Sequence, residues 1–466
     1  MSRLKVLLAS SEVYGFAKVG GLGDVAYALP KALRSIGVDA RIIAPMHRKK
    51  GRKVGTINVK LGKRDVQAEI YLSRVNSVPL YLVGGGGYFP RDRVYGYEDD
   101  FERYLFFSKA IVEFLRRYNF WKPNILHLND WHTGLTAAYV KSEGLPIKTL
   151  FTIHNLGYQG DVDTSKLNLL NLKEDITDLI IHNNRINPMK AGIVLSDAVN
   201  TVSVKYSKEI QTSEFGFGLD SVLREIKDKL YGIINGIDYS VWNPIRDPYI
   251  YRKYSTKTLE RKEENKKMLS SEMKIKPSDR PLIGIVSRLT HQKGIDVFLE
   301  AIEEFLEDRT VSLVLLGTGE GYIENKAKAI CDEFSDVVGI SIKYDEVLAH
   351  KIYAGSDMFA VPSRYEPCGL TQMIAMRYGS VPIVRNTGGL SDTVIDPNEN
   401  KNCARGFKFE SLDVEAIKKA LSRAIDVYEN DREYWKILQL NGMRADFSWR
   451  GSARKYLALY KRLLSS

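Results

Sequence analysis

Arg288 and Lys293 lie five positions apart in the string Ser287-Arg-Leu-Thr-His-Gln-Lys-Gly294. An arginine fork and a movable lysine charge around a turn suit a diphosphate. Alone, they also read as two solvated cations. A second string, Ser363-Arg-Tyr-Glu-Pro-Cys-Gly-Leu-Thr-Gln372, places Glu366 in a Pro/Gly turn that leads into a helix from Thr371. Backbone N–H groups over Gly369, Leu370 and Thr371 suit a phosphate there, and the carboxylate suits sugar hydroxyls or a developing positive charge. Alone, Glu366 also reads as an acid at a helix N-terminus. Cys368 has no histidine beside it in sequence, so it fits packing or a pocket wall better than a nucleophile. A third string, Lys18-Val-Gly-Gly-Leu-Gly-Asp24, precedes a helix expected from about Val25. Its glycines let backbone approach a phosphate, and Lys18 adds a point charge; a tight strand-to-helix turn is the alternative. Its spacing matches neither common nucleotide-binding glycine pattern. Asn129-Asp-Trp-His-Thr133 and Thr152-Ile-His-Asn-Leu-Gly-Tyr-Gln-Gly160 end two further apolar runs. A lone histidine such as His154 ordinarily reads as structural; Asn155 and Gln159 beside it weigh toward a site wall. No histidine has metal-ligand spacing to a cysteine or acid.

Something must hold these strings together. Short Val/Ile/Leu-rich runs recur at 4–10, 40–45, 80–83, 125–129, 149–154, 199–203 and 231–235. They resume at 282–287, 312–317, 337–342, 358–363 and 381–386. Apolar residues on both parities predict strands covered on both faces, and the helical patterns between them predict doubly wound parallel α/β sheets. The series breaks at 239–280, where Trp242-Asn-Pro-Ile-Arg-Asp-Pro248 and the charged stretch 257–268 read as a linker. Two α/β domains follow, 1–240 and 250–445, with an amphipathic helix over 446–466. Ligands bind at the carboxyl ends of strands in such sheets, and every string above sits there. A cleft between two such domains is the expected site.

The 466 residues carry 68 Lys+Arg against 57 Asp+Glu, a net charge of +11, and 27% of them are charged, the proportion of an ordinary folded protein. The excess leaves nucleic acid, an anionic surface or a phosphorylated substrate open. No run approaches a membrane span. The apolar start is too short for a signal peptide and is followed at once by Glu12. Cys331, Cys368 and Cys403 form no paired framework, which fits a reducing cytoplasm. Eight Lys/Arg and no acid fall in 46–64 (Arg48, Lys49, Lys50, Arg52, Lys53, Lys60, Lys63, Arg64). Without interleaved aromatics they read as a solvated loop. Gly84–Gly87 reads as a flexible loop.

Taken in order, the motifs resemble the bacterial-type glycogen synthase and starch synthase family. The likeness runs from Ala9-Ser-Ser-Glu12 through Lys18-Val-Gly-Gly-Leu-Gly-Asp24, His154-Asn155, Asn235-Gly-Ile-Asp238, Arg288-Leu-Thr-x-Gln-Lys293, Glu366-Pro-Cys-Gly-Leu-Thr-Gln372 and Thr387-Gly-Gly-Leu390 to Phe447-Ser-Trp449. The resemblance implies a GT-B fold whose last helix crosses back to the first domain. It implies transfer of glucose from ADP-glucose to the non-reducing end of an α-1,4-glucan, with retention. It places Lys18, Gly20 and Gly21 on the donor's phosphate and glucose side, Arg288 and Lys293 on the diphosphate, and Tyr344 against the adenine. Asp130, His154, Asn235 and Glu366 then surround the glucosyl ring, and Asn155 is a further donor-binding residue. Cys368 lines the donor pocket, and the N–H groups near Gly369, Leu370 and Thr371 meet the distal phosphate. No metal is implied, because Arg and Lys stand as the charge clamp. The position eight after Glu366 is Ile374, not the second Glu of wider families, so same-face attack is expected rather than a covalent intermediate. UDP-glucose as donor and a non-catalytic glucan or nucleotide binder are the competing readings; a nucleic-acid binder rests on charge alone.

Overall fold

Val6, Leu7, Leu8 and Ala9 are wholly buried, as a strand covered on both faces requires. They belong to β1 (Lys5–Ala9), the middle of a nine-stranded sheet. In chain order the following strands are β2 (Asp39–Pro45), β3 (Arg52–Leu61), β4 (Arg64–Val75), β5 (Val78–Gly85), β6 (Ile125–Asn129) and β7 (Lys148–Ile153). A three-stranded sheet of β8 (Val162–Asp163), β9 (Ile181–His182) and β10 (Arg185–Ile186) stands apart, and β11 (Ala198–Thr201) and β12 (Leu230–Gly232) complete the large sheet. The order is β12-β11-β7-β6-β1-β2-β5-β4-β3, parallel until β4 and β3 turn antiparallel at one edge. A computed structural model describes residues 3–118 and 120–465. The chain divides into two units, Met1–Gly236 with Trp449–Ser466, and Ile237–Ser448.

The basic segment is the clearest correction. Arg48, Lys49 and Lys50 lie in an exposed loop as expected, but the rest of the segment does not. Most of it builds the edge hairpin of β3 and β4, with Ile57, Val59 and Leu61 buried and Asn58 and Lys60 between them exposed. Arg52, Lys53 and Lys60 are exposed on β3, the edge strand, where charge discourages pairing with other chains. Gly84 and Gly85 likewise continue β5, pairing with Glu69 and Ala68, so the glycine run is partly strand.

The helix Trp449–Ser465 closes the first unit's core. Its Tyr460 hydroxyl meets His127 Nδ1 at 2.8 Å, and its Tyr456 hydroxyl accepts from Asn200 Nδ2 at 3.1 Å. Thr152 Oγ1 donates to Asn200 Oδ1 at 2.6 Å. Thr152 therefore accepts from His127 Nε2, 2.6 Å away, and His127 Nδ1 accepts from Tyr460. Burial holds His127 neutral, down at about 3. One polar chain thus ties β6, β7 and β11 to the last helix.

The second unit carries β13 (Leu282–Val286), β14 (Ser312–Gly317), β15 (Val338–Ile342), β16 (Met358–Val361), β17 (Val381–Arg385) and β18 (Phe407–Phe409). Their order is β15-β14-β13-β16-β17-β18, all parallel. The stretch read as a linker belongs to this unit from Ile237 onward. Its charged part forms the helix Lys262–Glu272. That helix is anchored by Leu269, by a Lys266–Asp357 ion pair of 2.8 Å, and by Lys262 donating to Ala354 O at 2.7 Å and Ser380 Oγ at 3.0 Å. No helix among the described residues is long and apolar enough to cross a membrane.

Candidate functional site

Ser10, Ser11 and Glu12 follow β1 and are buried. A buried carboxylate demands donors, and Glu12 has three. Val19 N and Gly20 N donate to Oε2 at 2.6 and 2.9 Å, and the Tyr95 hydroxyl donates to Oε1 at 2.7 Å. The glycine-rich string therefore wraps a carboxylate of its own chain. This corrects the expectation for Gly20, whose N–H is already engaged. The following helix begins at Gly21, not near Val25, and runs unbroken through Pro30. Lys18 pairs with Asp24 at 2.8 Å and lies 5.1 Å from the centre of the Tyr14 ring.

β6 ends at Asn129, and Asp130 takes φ 55°, ψ 178°. That backbone region is essentially reserved for glycine, and strain of this kind collects at functional sites. The turn aims the Asp130 carboxylate at the end of β7, where Oδ1 accepts His154 N at 2.7 Å. Burial raises this carboxyl to about 7, against the pull of backbone N–H bonds from His154 and Asn155. His154 Nε2 lies 2.8 Å from Asn129 Oδ1. The Asn129 amide nitrogen donates to Ala9 O at 2.9 Å, so Oδ1 must accept. The His154 proton therefore sits on Nε2, and Nδ1 carries the lone pair. Burial keeps the ring neutral, down at about 3. Asn155 Oδ1 accepts Gly157 N at 3.0 Å and closes a turn. Asn235 follows β12 and is buried, and its Oδ1 has no hydrogen-bond partner. A buried acceptor left unpaired calls for a donor from a ligand or water.

In the second unit, the string after β13 makes one tight turn, His291–Lys293, before the helix Ile295–Glu307. Lys293 Nζ reaches Glu366 Oε2 at 2.6 Å, and the Ser363 hydroxyl donates to the same oxygen at 2.7 Å. The two side chains are 18% and 9% exposed, buried enough for the pair to matter and open enough to exchange partners. Arg288 is exposed, its Nη2 no closer than 3.5 Å to Gln292 Oε1. Gly389 N donates to Glu366 O at 3.0 Å. A Cβ on Gly388 or Gly389 would overlap the backbone carbonyls of Glu366 or Cys368, so Thr387-Gly-Gly-Leu390 is the bed on which the Glu366 loop lies. Cys368 is buried against that bed. Gly369 has φ +70°, and Leu370 caps the helix Thr371–Arg377 without a side-chain bond. Tyr344 is 80% exposed, beside the Lys343–Asp345 pair of 2.9 Å. Among the described residues no cluster of three or more His, Cys, Asp or Glu is placed to hold a metal ion.

The structure thus gathers Asp130, His154 and Asn155 at the strand ends of the first sheet. It joins Lys293 to Glu366 at those of the second. Sequence reasoning missed Glu12, Tyr95 and Ser363 as members. A lone acid directly after a buried strand was the available sign for Glu12.

Two family models match the chain: the starch synthase catalytic domain over residues 5–225, and glycosyl transferases group 1 over 269–437. The glycogen synthase of Thermosipho africanus is 43% identical, covering 99% of each chain. That of Clostridium novyi is 41% identical with the same coverage. The catalytic domain of starch synthase IV from Arabidopsis thaliana, solved bound to ADP and acarbose, superposes with a TM-score of 0.92 at 37% identity over 100% of both chains. The sucrose-phosphate synthase of Thermosynechococcus elongatus has a TM-score of 0.63 at 20% identity, covering 99% of this chain and 100% of its own. With two Rossmann-like units and these neighbours, the architecture is the GT-B fold.

Proposed function

The chain belongs to the glycogen synthase family and is a glycosyltransferase of glycogen synthesis, and we propose from that premise that it moves the glucosyl unit of ADP-glucose to the non-reducing end of an α-1,4-glucan with retention. The observation that carries the reading is the Lys293–Glu366 pair, a cation and a carboxylate 2.6 Å apart at the carboxyl ends of a parallel sheet. Its support is the 37% identity, over the whole chain, to a starch synthase solved with ADP.

Breaking the bond from C1 to the diphosphate leaves an oxocarbenium-like carbon and an anionic leaving group, and both need positioned charge. Arg288 and Lys293 take the diphosphate oxygens, aided by backbone N–H groups at Leu370 and Thr371. As Lys293 turns to phosphate, the Glu366 carboxylate is released toward the sugar, still held by Ser363. Tyr344 offers a ring to the base. Asn235 Oδ1 and His154 Nδ1 accept glucosyl hydroxyls, and Asp130 and Asn155 hold the loop that carries His154. Lys18 and Gly21 serve the same side of the donor. Ile374 occupies the position of a second glutamate, so attack comes from the face the diphosphate leaves. The acceptor oxygen bonds C1, the C1–O bond to phosphate breaks, and the acceptor proton passes to a diphosphate oxygen. Arg288 and Lys293 supply the charge clamp without a metal. The three cysteines, with no C-x-x-C spacing among them, fit work in the cytoplasm.

Incubation with ADP-glucose and glycogen tests this. The expected result is glycogen-dependent ADP release, with the added glucose removable by an exo-acting α-1,4-glucanase. Absence of ADP release would overturn the reading.

A further inference from the structure

The reaction above leaves one buried acid of the first unit without a task. Glu12 is 4% exposed. Its donors are Val19 N, Gly20 N and the Tyr95 hydroxyl, all neutral, and no cation pairs with it among the described residues. Burying a carboxylate among neutral donors is costly. A short turn can be closed more cheaply by a serine or asparagine side chain.

The acid stands where three segments meet. After β1 the chain doubles back: Val13 N donates to Ala17 O at 2.8 Å and Ala17 N to Val13 O at 2.9 Å, with Gly15 at φ 79° between them. This turn returns Lys18, Val19 and Gly20 to the Glu12 carboxylate. Oε2 takes the N–H groups of the two residues directly after Lys18. Oε1 takes the Tyr95 hydroxyl, and because Tyr95 donates there, Ser11 Oγ donates to Tyr95 at 2.8 Å. A Cβ on Gly23 would lie 3.0 Å from Lys18 Cγ and 3.3 Å from Glu12 Oε2, so the Lys18 stem crosses Gly23 beside the carboxylate. The Lys18–Asp24 pair steadies only the charged end, and both its side chains are about a third exposed, where an ion pair holds little. The backbone that carries Lys18 is fastened by Glu12.

We propose that Glu12 is a positioning residue: through Val19 and Gly20 it fixes where Lys18 stands against the donor. The inference rests on the proposed transfer reaction. Its test is a double-variant cycle on the full chain with ADP-glucose and glycogen, each rate being referred to the protein that binds ADP. Glu12→Ala should lower kcat/KM for ADP-glucose about 30- to 100-fold, the loss that a slightly misplaced group inflicts. Glu12→Gln keeps an acceptor for the two N–H groups, and Tyr95 can accept from its amide nitrogen while donating to Ser11, so this variant should return to within about fivefold of wild type. Because Glu12 acts through Lys18, adding Glu12→Ala to Lys18→Ala should cost less than about threefold more. A stability role alone would change the fraction of protein that binds ADP, not the rate per binding site. Amide hydrogen exchange at Val19 and Gly20 reads the hold without turnover; it should quicken in Glu12→Ala and stay slow in Glu12→Gln. Losses that multiply in the double variant, exchange unchanged in Glu12→Ala, or a wild-type rate per site in Glu12→Ala would each overturn the role. A wild type that transfers nothing refutes the reading on which the role stands, whereas a wild type that transfers while the losses multiply refutes the role alone.

Discussion

His154 and Asp130, at the strand ends of the first unit, are buried, and burial disfavours their charged forms, while the second unit sets an exposed Arg288 and a half-open Lys293–Glu366 pair at its strand ends. Burial keeps His154 down at about 3 and pushes Asp130 up to about 7, and it lowers His132 well below the ordinary histidine value. In the second unit Lys293 and Glu366 stay paired, Arg288 is exposed, and Tyr344 is 80% exposed. The contrast suits the two halves of the proposed donor. A glucosyl ring offers hydroxyls, which neutral, fixed donors and acceptors in a dry wall would match. A diphosphate needs cations that can exchange partners as it arrives and leaves.

The largest expected effect lies on the charged side. Lys293→Ala and Glu366→Ala should each lower kcat by about 10²–10³, roughly 3–4 kcal/mol by analogy with loss of an oxyanion donor. The double variant should fall short of the product, because the two side chains are in direct contact. A near wild-type rate in either single variant would remove that side's assigned role.

On the neutral side, Asp130→Asn separates stability from charge. The Asp130 carboxyl is raised from its ordinary 3.8 to about 7. Between those values the folded chain keeps a proton that the unfolded chain has released, so this group's contribution to stability declines as pH rises through that window and is flat above it. Asn abolishes the dependence. The variant should match wild type near pH 4 and gain about 1–3 kcal/mol above pH 7, read from thermal melts across pH. A gain independent of pH would contradict a buried, neutral Asp130. Tyr460→Phe should cost a similar 1–3 kcal/mol at neutral pH by leaving His127 Nδ1 buried and unpaired, seen in chemical denaturation. The smallest effect belongs to Tyr344→Ala. In the proposed role its exposed ring would stack on the base without a base-specific bond, so the donor KM should rise about three- to tenfold with kcat kept.

Much of this was legible in sequence because strands covered on both faces are continuously apolar. β1, β6, β13 and β14 read directly from Val, Leu and Ile runs. β3 was hidden because Arg52, Lys53 and Lys60 drew attention away from the alternation of Ile57, Val59 and Leu61. The helix Lys262–Glu272 was hidden for a related reason: its buried face includes Lys262 and Lys266, whose partners arrive from elsewhere in the chain. Lys293 and Glu366 were legible as separate motifs, but their contact spans 73 residues. The engagement of Gly20 by Glu12 was likewise out of reach. The string that suits a phosphate suits any carboxylate, and only the fold says which one stands there.

Transfer from ADP-glucose is put to the test by initial rates with ADP-glucose and with UDP-glucose at equal concentration, glycogen being the acceptor. Glucose incorporation with ADP-glucose should stand well above that with UDP-glucose. A higher rate with UDP-glucose would contradict the donor assignment, and incorporation from neither would contradict the transfer itself.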